Sequence, residues 1–299
     1  MVLKIIIDQS DQRLDSYLAG KLPQYSRSYL QKLISRNLVL LDGNPVKASW
    51  KTSIGETISL TLPDPEPMTI KAESIPLDIV FEDQWLLVVN KPQGMVVHPA
   101  AGHHSGTLVN ALLDHCQDDL SDLNGVVRPG IVHRIDKDTS GLILVVKNNQ
   151  VHTTLAERLR RHEIKRTYQA LVHGNPGSDR GIIDAPIGRD PRNRKRMAIV
   201  ADGKPAISHF AVKKRFAAGA WLEVRLETGR THQIRVHMQY IGHPIIGDRL
   251  YAGGRKHYHL EGQALHASSL DFAHPVTGEQ IRVECELPGH FRELLEKLR

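Results

Sequence analysis

The chain has 299 residues and a mass of 33.5 kDa, about twice the modal domain length, which excludes one small domain and favours a large domain with a smaller companion. Hydrophobic residues make up 40% of it and charged residues 24%, proportions that exclude a disordered chain. A surplus of 39 Lys and Arg over 33 Asp and Glu leaves a net charge of +6 and an isoelectric point near 9.3, which favours a polyanionic partner such as nucleic acid.

The chain opens on Lys4 and the run Ile5-Ile6-Ile7, with no small-residue cleavage site after them. Its longest apolar runs, residues 86–89 and 142–146, are far shorter than the roughly 18 residues of a membrane span. Cys116 and Cys285 stand too far apart in sequence to suggest a disulfide framework or a zinc site. The expectation is a cytoplasmic protein without membrane contact. Leu14, Tyr17, Leu18 and Leu22 form a helical stripe that stops at Pro23. Ser26 is placed as the N-cap of a second helix carrying Tyr29, Leu30, Leu33 and Ile34. Arg27, Lys32 and Arg36 fall on its polar side, Lys47 and Lys51 follow, and Asp42 is the one acid nearby. Strands are expected over residues 38–41 and 56–62, joined through the turn Asp42-Gly43-Asn44. Pro63, Pro65 and Pro67 then alternate in a stretch where neither helix nor central strand can continue, which marks a linker.

Beyond it, residues 79–81, 86–89, 142–146, 167–172 and 221–226 read as strands, with Tyr168, Ala170 and Val172 on one face. Val151, Leu155 and Leu159 form a helical stripe; Thr231 is placed as the cap of a helix carrying Ile234, Met238 and Ile241, and residues 291–298 as a final amphipathic helix. Interspersed strands and helices point to an α+β domain.

The densest polar segment is His133-Arg134-Ile135-Asp136-Lys137-Asp138-Thr139-Ser140-Gly141, held between apolar strand-like runs where catalytic loops commonly lie. Its composition is also that of an ordinary turn. Asp136-Lys137-Asp138-Thr139 fits the Asp-x-Asp-x-Thr loop of aspartyl-phosphate enzymes of the haloacid dehalogenase type. Those enzymes need an apolar strand running straight into the first Asp and a later acidic pair, whereas His133 and Arg134 intervene and residues 247–251 lack the second acid. A metal reading fails on geometry, since His232 and His237 are five apart and share neither a helix face nor a strand face.

The full segment resembles the signature His-Arg-Leu-Asp-x-x-Thr-Ser-Gly of RluA-type pseudouridine synthases, with Ile135 in place of Leu. Residues 83–99, containing Asn90-Lys91-Pro92-Gln93-Gly94, resemble the family's opening strand pair. Lys165-Arg166-Thr167-Tyr168 resembles its second motif, residues 229–237 its third, and Leu265-His266-Ala267 with residues 272–275 its fourth. Residues 11–60 resemble the small S-four RNA-binding module, on Gln12-Arg13-Leu14-Asp15, Ser26-Arg27-Ser28 and the turn after Leu41. That module precedes the catalytic domain in the subgroup that modifies large-subunit ribosomal RNA.

The resemblance implies a small N-terminal α/β RNA-binding module over residues 11–60, a linker over 61–75, and an α+β catalytic domain over 76–299 built on a large, mixed, mostly antiparallel sheet. It implies isomerisation of uridine to pseudouridine, in which no atom is gained or lost, so no cofactor and no metal is expected. The implied partner is large-subunit ribosomal RNA or a pre-ribosomal particle, and the protein is expected to act as a monomer. Asp136 matches the catalytic carboxylate, either as a nucleophile or as a base towards the ribose. A guanidinium partner would favour its ionised form, and Arg230 is the match. Tyr168 matches the tyrosine that stacks on the uracil, and Arg134 the side chain that fills the space of the extruded base. Arg27, Lys32 and Arg36 on the module, with Arg192, Arg194, Lys195 and Arg196 in the run from Arg189, are the expected phosphate contacts. A non-catalytic RNA-binding or assembly factor would need none of the intact carboxylate chemistry.

Overall fold

A computed structural model describes residues 2–23, 25, 27–62, 70–99, 103–117, 119–121 and 129–299. The placed cap Ser26 and the prolines at 63, 65 and 67 lie outside the described residues. The chain divides into two compact units, Met1–Met68 and Thr69–Arg299.

The first unit contains β1 (Val2–Ile6), α1 (Leu14–Lys21), α2 (Arg27–Ser35), β2 (Val39–Leu41), β3 (Asn44–Pro45) and β4 (Thr57–Thr61). Its antiparallel sheet runs β1-β4-β2-β3, and the helices bury Leu14, Leu18, Leu30 and Leu33 against Ile58 and Leu60. Asp42 and Gly43 both adopt positive φ, +46° and +83°, as the two-residue turn between β2 and β3 requires. Ile5 and Ile6 of the N-terminal isoleucine run end β1, where they pair with Ile58 and Thr57 of β4.

The polar side of α2 differs from expectation at Arg27. Its guanidinium donates to the fully buried carboxylate of Asp15 through Nη2 at 3.0 Å and Nε at 3.2 Å. Burial drives the Asp15 pKa up, but bonds from Arg13, Gln31 and Arg27 outweigh it and hold the carboxyl well below the usual range. Arg27 thus carries a structural ion pair while its own side chain stays half exposed, at 49%. Lys32 and Arg36 remain exposed and have no ion pair among the described residues.

The second unit begins with β5 (Ile79–Glu82), β6 (Leu86–Lys91), α3 (Leu108–Cys116), β7 (Ser140–Val146) and α4 (Asn149–Arg160). Then come β8 (Lys165–His173), β9 (Arg180–Asp184), β10 (Ile187–Arg189), β11 (Met197–Ile199), β12 (Ile207–Arg215) and β13 (Gly219–Leu226). It ends with α5 (Gln233–Tyr240), β14 (Leu265–Ala273), β15 (Gln280–Glu284) and α6 (Gly289–Leu298). The large sheet runs β5-β6-β7-β14-β8-β13-β12-β9, with β15 on β14. Among the described residues only the β7–β14 pair of this sheet is parallel; the other pairs are antiparallel. The expected mixed, mostly antiparallel sheet is what forms.

Every residue of β7 is buried, because the sheet is covered on both faces and alternate side chains feed opposite cores. Leu87, Val89, Ile143 and Val145 join α3, α5 and α6 on one face. Leu86, Val88, Leu142 and Leu144 join α4 and β15 on the other. Helix α3 starts with a capping box in which Thr107 and Asn110 bond each other reciprocally.

Gly141 sits where β7 crosses onto β14. It adopts φ +109°, and a Cβ there would lie 2.2 Å from the Ala267 carbonyl oxygen and 2.6 Å from its nitrogen. Both obstacles are backbone, so neither can swing aside. Gly141→Ala should lower the free energy of unfolding by about 3 kcal/mol, the sum expected from backbone strain and overpacking. Urea denaturation of the two proteins checks this, and equal midpoints would show that the β7–β14 crossing is looser than described.

Candidate active site

The segment from His133 to Thr139 leads into β7 and is fastened from several sides. His133 Nε2 accepts the Leu144 N–H at 3.0 Å, tying the incoming chain to the strand it precedes. Burial, aided by Arg166, pushes the His133 pKa down to about 3, so the ring is neutral and able to accept. The Lys91 ammonium, wholly buried, donates to the carbonyls of Pro92 at 2.8 Å, Met95 at 2.8 Å and Lys137 at 2.9 Å. Burial pushes this amine down to about 7 against the pull of Asp138 and Asp136, yet three acceptors match the three N–H groups of the charged form. Gln93 Nε2 donates to the carbonyls of Asp138 at 3.0 Å and Gln263 at 3.2 Å. Gln263 in turn donates to Thr139 Oγ1 at 3.0 Å.

This frame presents Asp136 to Arg235 on α5. Arg235 Nη1 donates to Asp136 Oδ2 at 2.8 Å. Its Nε and Nη2 grip both oxygens of the fully buried Asp248, at 2.7 and 3.0 Å. Asp248 is fixed independently, since its Oδ1 accepts the N–H groups of Leu250 and Tyr251 at 3.0 and 3.1 Å. Burial opposes the charge on Arg235, but the bonds and fields of the two carboxylates prevail and raise its pKa above the ordinary arginine value. The second oxygen, Asp136 Oδ1, faces His232 Nε2 at 3.8 Å. His232 holds φ +57° as the first flanking residue of α5, and its Nδ1 lies 2.8 Å from the Tyr251 hydroxyl. That hydroxyl accepts the Met197 N–H, which frees its own proton for Nδ1 and assigns the remaining ring proton to Nε2, towards Asp136. Burial lowers the His232 pKa, so the ring is uncharged at neutral pH.

Arg230 is not the partner of Asp136. Its Nε donates to the Pro205 carbonyl at 2.9 Å, while the guanidinium of Arg235, five residues later, reaches the carboxylate. The reason is the entry to α5: Thr231 does not cap it, and the left-handed turn at His232 carries Arg230 away while Arg235 projects from inside the helix. Arg230 and Tyr168 nevertheless line the same cleft as Asp136, together with Arg134, Ile135 and Leu265. Tyr168 is buried on β8 and its hydroxyl has no hydrogen bond among the described residues; burial raises its pKa. Arg134 is exposed at the mouth, without an ion pair among the described residues.

The basic run sits on the β10–β11 hairpin, where Asp190 Oδ1 accepts the Arg192 N–H and tightens the loop. Arg192, Arg194 and Lys195 are exposed. Arg196 is not: its guanidinium lies 5.0 Å from the Tyr251 ring centroid and donates to Gln239. The aromatic face it covers explains its withdrawal from the expected phosphate contacts. Arg235 lies against the same ring at 4.9 Å. Among the described residues no group of three or more His, Cys, Asp or Glu could hold a metal ion.

Residues 85–240 match a family model described as RNA pseudouridylate synthase, and residues 12–58 match the S4 domain. An uncharacterized RNA pseudouridine synthase of Bacillus subtilis (strain 168) is 51% identical over 98% of this chain and 96% of its own. A ribosomal large subunit pseudouridine synthase D of Zymomonas mobilis is 46% identical over 96% and 93%. The solved structure of human RNA pseudouridylate synthase domain containing 1 shares the fold, with a TM-score of 0.57 at 23% identity, covering 79% of this chain and 98% of that one.

Burial holds His133 at about 3, and His173 and His266 at about 4, all below the ordinary value near 6.5. Unfolding takes up protons on these rings between about pH 4 and 6.5, so stability falls as the pH drops through that window. Each ring contributes about 1.4 kcal/mol per pH unit. Urea midpoints should decline steadily from pH 7 to pH 5, and a flat profile would mean that these rings are already charged in the fold.

Proposed function

The chain belongs to the RNA pseudouridylate synthase family, and from that premise we propose that it isomerises uridines in a stem-loop of large-subunit ribosomal RNA. Pseudouridine synthesis is the family's reaction; the choice of RNA is supported by relatives named ribosomal large subunit pseudouridine synthase D and by the S4 match at the N-terminus. On this reading residues 11–60 form an RNA-binding module and residues 76–299 a catalytic domain, working in the cytoplasm on ribosomal RNA or a pre-ribosomal particle. The comparisons give no support to a non-catalytic assembly factor.

The observation that carries the catalytic assignment is the Asp136 carboxylate held in a cleft with one oxygen bound by Arg235. Oδ1 is left facing the cleft and is the oxygen that acts on the ribose of an extruded uridine, either by attack on the anomeric carbon or by removal of a ribose proton. The bond from ring nitrogen one to the anomeric carbon breaks, the uracil turns, and ring carbon five forms the new bond. In the first route the bond between Asp136 and the anomeric carbon breaks as carbon five attaches; in the second the carboxyl returns the ribose proton at that step. Carbon five then loses its proton and nitrogen one gains one, so the balance is that of an isomerisation. Tyr168 forms a wall for the uracil, and its unpartnered hydroxyl takes part in the proton removal. Arg134 enters the space left in the RNA, while Lys32, Arg36, Arg192, Arg194 and Lys195 hold phosphates.

Incubating large-subunit RNA transcripts with wild-type protein or with Asp136→Asn, then mapping pseudouridine by selective adduct and primer extension, should give new stops with wild type alone. Equal stops in both samples would remove Asp136 from the chemistry, and none in either would remove the substrate assignment. Arg235→Lys should slow single-turnover isomerisation by at least about 10²-fold with RNA affinity little changed, because a point charge cannot grip Asp248 and meet Asp136 together. A wild-type rate in that variant would make Asp136 independent of its ion pair.

A further inference from the structure

Arg166 on β8 is a buried cation without a counter-ion. It is 6% exposed, its Nη2 donates only to the Glu227 main-chain carbonyl at 3.2 Å, and its Nε has no hydrogen-bond partner. No carboxylate pairs with it among the described residues; the Glu227 side chain itself is engaged by His209. A guanidinium withdrawn from water in this way carries a desolvation cost that one bond to a neutral carbonyl offsets only in part. Space is reserved for it: a Cβ on Gly229 would stand 2.6 Å from Arg166 Nη1.

The surroundings point outward from the catalytic cleft. Arg166 lines both the cleft that holds Asp136 and an adjoining groove, and Arg134, Gly229 and Arg230 line both as well. The groove adds Arg160, exposed near the end of α4. Four guanidiniums thus converge beside the point where a uridine must leave its stack, with Glu227 the one acid among the groove's lining residues. A phosphodiester is the anion that RNA brings to that place, and the Arg fork fits its oxygens in bidentate fashion.

We propose that Arg166, flanked by Arg160 and Arg230, is the receptor for one backbone phosphate next to the isomerised uridine, and that its missing counter-ion is supplied by the substrate. The inference rests on the reading of the chain as an RNA pseudouridine synthase and is independent of which RNA it modifies. An extruded nucleotide held at its phosphate and at its base has a fixed ribose, which positions the anomeric carbon against Asp136. Arg166 is on this account a binding residue, separate from the base contacts of Tyr168.

The test uses five-residue oligouridylates, unmodified or with a single neutral methylphosphonate at each linkage in turn, titrated by fluorescence anisotropy at low salt. With wild-type protein one linkage should weaken binding by about tenfold when neutralised, the value of one charge-assisted contact. With Arg166→Gln the unmodified oligonucleotide should bind about tenfold more weakly, and neutralising that linkage should cost nothing further. Arg166→Lys should fall between the two, and thermal unfolding of both variants confirms that they are folded. Equal losses at every linkage in wild type and Arg166→Gln overturn the proposal, as does an unmodified oligonucleotide that fails to bind. Absence of pseudouridine in ribosomal transcripts would refute the substrate assignment without touching this result.

Discussion

A single guanidinium held between two carboxylates organises the cleft around Asp136 in the larger unit. Arg235 spends its Nε and Nη2 on Asp248 and offers Nη1 to Asp136, and Asp248 is anchored by backbone N–H groups before Arg235 reaches it. The order of dependence runs from the turn at Leu250 and Tyr251, through Asp248 and Arg235, to Asp136. A fork does this where an ammonium cannot, because its donors diverge in one plane and satisfy two acceptors on different elements. Since Asp136 and Asp248 are 112 residues apart in the numbering, 248 minus 136, the contact also joins the loop before β7 to the segment after α5.

The other side of the Asp136 loop is secured by neutral bonds and one buried ammonium. Lys91 at the end of β6 and Gln93 just past it bind the main-chain carbonyls of Lys137 and Asp138, and Gln263 before β14 binds Thr139. Each of these partners is a carbonyl or a hydroxyl, so the loop is fixed by geometry while the single charged contact is concentrated at Asp136. The same logic accounts for His133, whose value lies in a low pKa and an acceptor nitrogen rather than in proton transfer.

How far the sequence revealed this depends on whether a residue is read by its neighbours along the chain or across it. Buried strands such as β6 and β7 declared themselves as apolar runs, and Asp136 stood inside a motif nine residues long. The half-buried strands β9, β12 and β15 mix apolar with charged residues and gave no periodic signal, while β14 was visible only as a motif. Arg235 is the instructive miss. Residues Arg230 and Arg235 occupy one short motif, and a placed cap at Thr231 made Arg230 the residue at the helix start. The left-handed turn at His232 shifts the helix entry by one residue and leaves the choice to the position of Asp248, which no local pattern records. The Asp15–Arg27 pair escaped for the same reason, being an ion pair across two helices.

The distribution of the basic residues completes the argument from charge. A net +6 says nothing about which cations are available, and the structure sorts them by what they already touch. Arg27, Arg196 and Arg235 are committed to a buried carboxylate, an aromatic face, or both, and their loss would be felt first as lost packing. Lys32, Arg36, Arg192, Arg194 and Lys195 are exposed and hold no carboxylate among the described residues, which leaves them available to an anion from outside the fold. Arg166 belongs to neither group: it is as buried as Arg235 and as unpaired as the second. A cation in that condition is stabilised by an anion from outside the fold, and in a family that acts on RNA the proposed anion is a backbone phosphate.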